Sequence, residues 1–101
     1  MKSLSRHKTF IKDMRNVRLT EAQATKLFLY VAGLLKNETL PPEARNHDLQ
    51  GEWGDFQELL LGGDLLLIYK TDEQHLYLTR LGSHAQLSKA VNFPKRDGVY
   101  T

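Results

Sequence analysis

The feature that most restricts the fold is the pair Pro41-Pro42, set in NETLPPEARNHD between two stretches of different hydrophobic period. Neither proline can donate a backbone hydrogen bond, and each biases its predecessor away from helical angles, so a helix must end there. Before the prolines, apolar residues recur every three or four positions; after them, they come in short runs separated by turn residues. Two helices followed by three antiparallel strands is an α+β pattern.

In the first part, the opening residues suit a short strand. Phe10, Ile11, Met14 and Val17 then fall on one side of a helix, with Lys8, Lys12 and Arg15 opposite. Thr20 and Gln23 form a capping-box pattern, and Ala24, Leu27, Phe28, Val31, Leu34 and Leu35 make an apolar stripe to about Asn37. Leu29 and Gly33 lie off that stripe, but a lone exposed leucine needs no partner to explain it.

In the second part, DFQELLL, the glycines at 62 and 63, and DLLLIYKT read as two strands around a tight turn. Leu65 to Tyr69 is apolar without alternation, which suits a strand buried on both faces. Asp72 and Glu73 occupy a second turn before QHLYLTRL, where Leu76 and Leu78 share one face and His75, Tyr77 and Thr79 the other. Gly82 and Ser83 are expected to break the strand, and HAQL to turn off the sheet. The expected division is a domain over residues 1–88 and a polar tail over 89–101.

A chain of 101 residues can bury one modest core, and 41% hydrophobic with 26% charged residues fits a folded domain. The absence of cysteine removes disulfides, thiolate metal sites and cysteine nucleophiles. No apolar run approaches the ~20 residues of a membrane span, and the first residues lack the apolar block of a secretion signal. A cytoplasmic protein without membrane contact is the expectation.

The net charge of +2 conceals an asymmetry. Residues 1–45 carry nine Lys or Arg against four acids, a balance of +5; residues 46–101 carry five against eight, a balance of −3. Lys2, Arg6, Lys8, Lys12, Arg15 and Arg18 face only Asp13 in the N-terminal segment. Such a footprint fits a phosphate backbone, and equally a solvated helix face.

Of the four histidines, His47 sits at a loop-to-strand junction and His84 just past the last expected strand. A meandering sheet could bring the two together, where imidazoles can divide base and acid work near neutral pH. Two unrelated surface histidines would give the same spacing. No histidine pair has i, i+4 spacing, there is no HExxH, and phosphate-loop, dinucleotide and GxSxG signatures are absent. Metal-free chemistry using His, Asp, Arg and Lys, with no cofactor, is left, or no chemistry.

HDLQGEW at 47–53, DLLLIYK at 64–70 and RLGSHAQL at 80–87 together resemble the YafQ branch of the RelE/ParE toxin superfamily, the toxin halves of bacterial type II toxin-antitoxin pairs. The resemblance implies a RelE-like fold: a short N-terminal strand and two helices packed on one face of a curved antiparallel sheet, with a working face on the other side. It also implies ribosome-dependent cleavage of messenger RNA in the A site, in which the RNA's own 2′-hydroxyl attacks the adjacent phosphate. By position, His47 becomes a base candidate, Asp64 an orienting or polarising group, Arg80 a phosphate-neutralising cation and His84 the general acid, although two histidines in one site can exchange roles. Lys8, Lys12, Arg15 and Arg18 become candidates for ribosomal RNA contacts, and Trp53 an anchor for the sheet.

The implied partners are a cognate antitoxin, the ribosome with its messenger, and operator DNA only through the antitoxin complex. Two positions depart from the family pattern. Leu60 stands where a histidine is expected and Ser88 where a phenylalanine is expected, with Gln57 in place of an arginine. An attenuated or inactive toxin is one consequence. A gyrase-inhibiting binding module of the ParE kind and a catalytically silent, antitoxin-binding corepressor are the alternatives.

Overall fold

The computed structural model describes residues 1–87 of the chain. Its elements are β1 (Ser3–Arg6), α1 (Lys8–Asn16), α2 (Glu21–Leu35), β2 (His47–Asp48), β3 (Gln57–Gly62), β4 (Leu65–Thr71), β5 (His75–Ser83) and a short α3 (His84–Leu87). Single 3-10 turns lie at Pro42–Ala44 and Gly51–Trp53. The strands form one sheet in the order β1-β5-β4-β3-β2. β2 to β5 pair antiparallel and β1 joins parallel to β5, so the RelE-like α+β arrangement is present with a mixed rather than purely antiparallel sheet. A parallel pair needs a long crossover, and the segment holding α1 and α2 supplies part of it.

β4 is the spine. Leu65, Leu67 and Tyr69 point into the helix-side core, Leu66 and Ile68 point the other way, and all five are buried. This matches the two-faced burial expected from its unbroken apolar run. The helix-side core adds Phe10 from α1, Leu27, Tyr30 and Leu34 from α2, Leu59 and Leu61 from β3, and Leu76, Leu78 and Leu81 from β5. Each fully buried leucine there contributes about 1.5–3 kcal/mol.

Thr20 and Gln23 close both arms of the capping box at the start of α2, at 3.1 and 3.0 Å. Just past its end Asn37 takes φ 60°, the left-handed conformation that terminates helices. The face that α2 buries differs from the expected stripe. Phe28 and Leu29 are 70% and 63% exposed, whereas Tyr30 and Gly33 are buried. Leu27, Tyr30 and Leu34 recur at i, i+3 and i+7 and follow the groove toward β3 and β5, which leaves Phe28 rotated out. Met14 of α1 is likewise partly exposed.

β5 does not break at Gly82 and Ser83: they pair with Leu66 and Leu65. Its register slips once, from Tyr69↔Leu78 to Ile68↔Arg80, leaving Thr79 as a buried bulge residue. The extra residue flips the alternation, so Leu81 continues the face begun by Leu76 and Leu78. Ser83 instead caps α3, with its hydroxyl accepting from the Gln86 N–H at 3.2 Å while the Gln86 side-chain oxygen accepts from the Ser83 N–H at 2.8 Å.

Beyond Arg6 no strand among the described residues pairs with this edge of β5, and side chains from α1 take over the hydrogen bonding. The Thr9 hydroxyl donates to the Thr79 carbonyl at 2.7 Å, and Asp13 accepts from the Leu81 N–H at 2.9 Å. His7 is the N-cap of α1: its ring Nδ1 accepts from the Thr9 N–H at 3.0 Å, and its backbone N–H donates to the Leu78 carbonyl at 2.8 Å. Burial, followed by the charges of Lys8 and Arg80, holds the His7 imidazole below its ordinary value.

Candidate functional site

On the sheet face away from the helices, Phe56, Leu66, Ile68 and Leu87 form a second, smaller cluster, with Leu49, Trp53 and Leu60 packed against it. Trp53 stacks obliquely on Phe56 at 5.6 Å between ring centres, the sheet-anchoring position expected of it. Where this cluster ends, the surface falls into a hollow of about 420 Å³ lined by Arg45, His47, Glu58, Leu59, Leu60, Gly63, Asp64, Leu66 and His84.

Three sequence features deliver these groups. Gly62 and Gly63 take φ of 118° and 60° in the β3–β4 turn, conformations costly for any residue with a Cβ, and so place Asp64 at the rim. The His84 N–H donates to the Asp64 carbonyl at 3.1 Å, tying the start of α3 to that turn. α3 folds back closely over Gly82: a Cβ there would lie 2.9 Å from the Gln86 side-chain oxygen, which can swing aside, and 3.3 Å from Leu87. On the other wall, His47 is paired in register with Glu58 across β2 and β3.

The His47 ring is held at both nitrogens. Nδ1 lies 2.6 Å from the Arg45 carbonyl oxygen and Nε2 lies 3.1 Å from a Glu58 carboxylate oxygen, with the ring still 56% exposed. A neutral ring whose Nδ1–H donates to the Arg45 carbonyl has its Nε2 lone pair on the Glu58 side, where it can take up a proton from another group only once that carboxylate moves away. His84 is exposed at the rim, and no hydrogen bond or ion pair engages its ring among the described residues.

Of the residues singled out from the sequence, His47, Leu60, Asp64 and His84 share this hollow. Arg80 is not among its lining residues. Its Nε and Nη2 donate to the two carboxylate oxygens of Asp13 at 2.7 and 3.2 Å, in a pair only 13% exposed on the arginine side. The bulge at Thr79 sets Arg80 at the β5 edge covered by α1, which no strand alternation in the sequence reveals. Ser88 and the tail from 89 to 101 lie outside the described residues. Lys8, Lys12 and Arg15 line a separate groove of about 530 Å³ along α1, and Arg18 is exposed beyond the helix end. His7 and His75 take no part in the hollow; His75 lies 3.6 Å from Asp72 in the β4–β5 turn.

The model of the YafQ toxins, described as bacterial toxins of type II toxin-antitoxin systems, matches residues 2–89. The chain belongs to the YafQ family. Among curated relatives, the mRNA interferase toxin YafQ of Escherichia coli K12 is 35% identical over 80 residues, which are 77% of this chain and 86% of that protein. The E. coli DinJ-YafQ complex contains a chain that superposes with a TM-score of 0.77 at 27% identity, covering 88% of this chain and all of that one (100%). A metal-bound toxin from Helicobacter pylori superposes with a TM-score of 0.74 at 34% identity, covering 86% and 99%.

Two side chains that contact the His47 segment escape a reading by motif. Glu58 was hidden inside QELL, yet its place opposite His47 follows once the β2–β3 register is known. Tyr69 lies in the core, where burial pushes its phenol up to about 12, and its hydroxyl donates to the Asn46 side-chain oxygen. That bond ties the residue before His47 to the central strand, a physical use for the tyrosine in IYK. Among the described residues no group of three or more His, Cys, Asp or Glu is arranged to hold a metal, and no helix is long and apolar enough to cross a membrane.

Proposed function

We propose that this YafQ-family chain is an mRNA interferase that cuts messenger RNA in the ribosomal A site without a metal and is neutralised by a cognate antitoxin. The observation that carries the reading is the convergence of His47, Asp64 and His84 on one open hollow in a chain whose relatives are named mRNA interferase toxins. The reaction asks for removal of the 2′-hydroxyl proton, stabilisation of charge on the phosphorane and protonation of the leaving 5′-oxygen. His47 takes the first task when its contact to Glu58 opens, Asp64 orients the substrate-side groups, and His84 delivers the proton to the leaving oxygen. Arg80 would have to leave Asp13 to reach a phosphate in the hollow.

The groove of Lys8, Lys12 and Arg15, with Arg18 beyond it, suits ribosomal RNA backbone through salt-sensitive contacts that orient without reading sequence. The antitoxin is expected to lay an acidic amphipathic segment over the toxin, as a partner chain is named in the DinJ-YafQ complex, with operator DNA reached only through that assembly. Action on ribosomes places the protein in the cytoplasm.

One observation favours a second reading, an attenuated or silent toxin that acts through its antitoxin as a corepressor. Leu60 fills the wall of the hollow where a histidine is expected, and it packs against the apolar cluster behind. Expression without antitoxin separates the readings. The interferase arrests translation and leaves A-site messenger cuts that disappear in a His47→Ala, His84→Ala double variant. Intact messengers with an induced DNA-damage response would replace both readings by gyrase inhibition.

A further inference from the structure

A reaction that loads negative charge onto a phosphate needs a fixed positive charge beside it, and the hollow also carries the carboxylates Glu58 and Asp64. Resting on the ribonuclease reading, the geometry points to Arg45 as the cation that binds the scissile phosphate. Among the described residues it is the one Lys or Arg that lines the hollow. Arg80, the arginine the family pattern suggests, is held in its fork by Asp13 and borders a different cleft with Asn16 and Val17.

Arg45 is exposed, and no ion pair engages its guanidinium among the described residues. Its backbone, in contrast, is fixed. It closes the turn after Pro41-Pro42, with its N–H donating to the Pro42 carbonyl at 3.0 Å, and it takes φ 48° and ψ 43°. That is the left-handed region, where glycine or asparagine is at ease and arginine is strained. A strained residue persists where its surroundings over-determine it, and such positions gather at working sites. The carbonyl of this same residue holds the His47 ring at 2.6 Å, so one peptide unit sets the imidazole and presents the charge.

The chemistry balances without any further reagent. The 2′-oxygen bonds to phosphorus as its proton passes to the base; the bond from phosphorus to the 5′-oxygen breaks as that oxygen takes a proton from the acid. The non-bridging oxygens gain charge in between, and a guanidinium offers them two parallel N–H donors, which an ammonium cannot do. The products are a 2′,3′-cyclic phosphate and a 5′-hydroxyl.

The test compares Arg45→Gly, whose backbone suits the left-handed turn, with Arg45→Lys and the parent, using single-turnover cleavage on programmed ribosomes. A second measurement follows the His47 and His84 ring resonances during titration with a 2′-deoxy-substituted trinucleotide, which cannot be cleaved. The expected result is a rate loss of about 10²- to 10³-fold in Arg45→Gly, a smaller loss in Arg45→Lys, an unlowered thermal midpoint, and ring shifts that fade with the arginine. Arg45→Gly cleaving and titrating as the parent does would overturn the assignment. Should the parent cut no messenger, the ribonuclease reading fails on its own and the titration judges Arg45: shifts that require the arginine sustain its phosphate site, and shifts that are absent or equal in both proteins overturn it.

Discussion

The two faces of the sheet follow different rules. Toward the helices, β3, β4 and β5 present a surface of leucines and Tyr69 that α1 and α2 cover. On the opposite face the apolar cover is a patch held by Trp53, Phe56 and Leu87, and beyond it the sheet gives way to Arg45, His47, Glu58, Asp64 and His84. The comparison teaches where function has room in a small domain. One face supplies most of the stability, so the other can tolerate groups chosen for chemistry, set at the ends of strands and in turns.

The largest expected effect lies on the working face. Leu60→His together with Ser88→Phe restores the residues the family pattern calls for, and if the remaining hollow is intact the cleavage rate rises by about 10²- to 10⁴-fold. A primer-extension assay on programmed ribosomes reads it. No gain would assign Leu60 to a scaffold that does no chemistry.

Core truncations sharpen the contrast between the faces. Leu67→Ala on the helix side is expected to lose about 2–5 kcal/mol by denaturant unfolding, and whatever folded fraction remains cleaves normally. Leu87→Ala, in the smaller cluster, loses less stability but more cleavage per folded molecule, because Leu87 seats the helix that begins at His84. Equal ratios of activity to stability in the two variants would erase the distinction.

Asp13 links α1 to β5, the strand that leads into His84, accepting from Arg80 and from the Leu81 N–H. Asp13→Asn leaves a largely buried guanidinium without its counter-charge and is expected to destabilise the fold by about 3 kcal/mol. A urea midpoint no different from the parent's would show the pair to be dispensable.

The smallest effect is one of pH. His7 has its folded value lowered below 6.5, chiefly by burial and then by Lys8 and Arg80. The unfolded chain therefore takes up the proton first, so this contribution to stability is complete above pH 6.5 and declines as pH falls below it. His7→Asn keeps a side chain able to cap α1 but cannot titrate, so its urea midpoint should fall less between pH 7.5 and pH 5 than the parent's. Parallel profiles would remove His7 from the account.

Much of the architecture was legible because it depends on local signals. The capping box at Thr20, the double proline, the glycine turn and the apolar run of β4 each act through a few neighbouring residues, and each appears where the sequence places it. Long-range register was not legible. The bulge at Thr79 decides which way Arg80 and Leu81 face, and it arises from pairing with β4, not from anything within QHLYLTRL. Phe28 was expected in the core and is turned out for a similar reason: hydropathy favours burying phenylalanine, but the groove on the sheet selects the face that holds Tyr30. At the hollow, His47, Asp64 and His84 were singled out by their places in the segments that carry the family resemblance, and they share its lining. Glu58 and Arg45 came into view only with cross-strand neighbours and turn geometry.

The central claim is that this hollow makes the RNA's own 2′-hydroxyl the nucleophile. Ribosomes carrying a messenger with a single 2′-deoxy nucleotide at the cut position test it most directly. The account predicts cutting of the all-ribose messenger, ending in a cyclic phosphate, and none at the deoxy position. Cleavage at that deoxy position would contradict it.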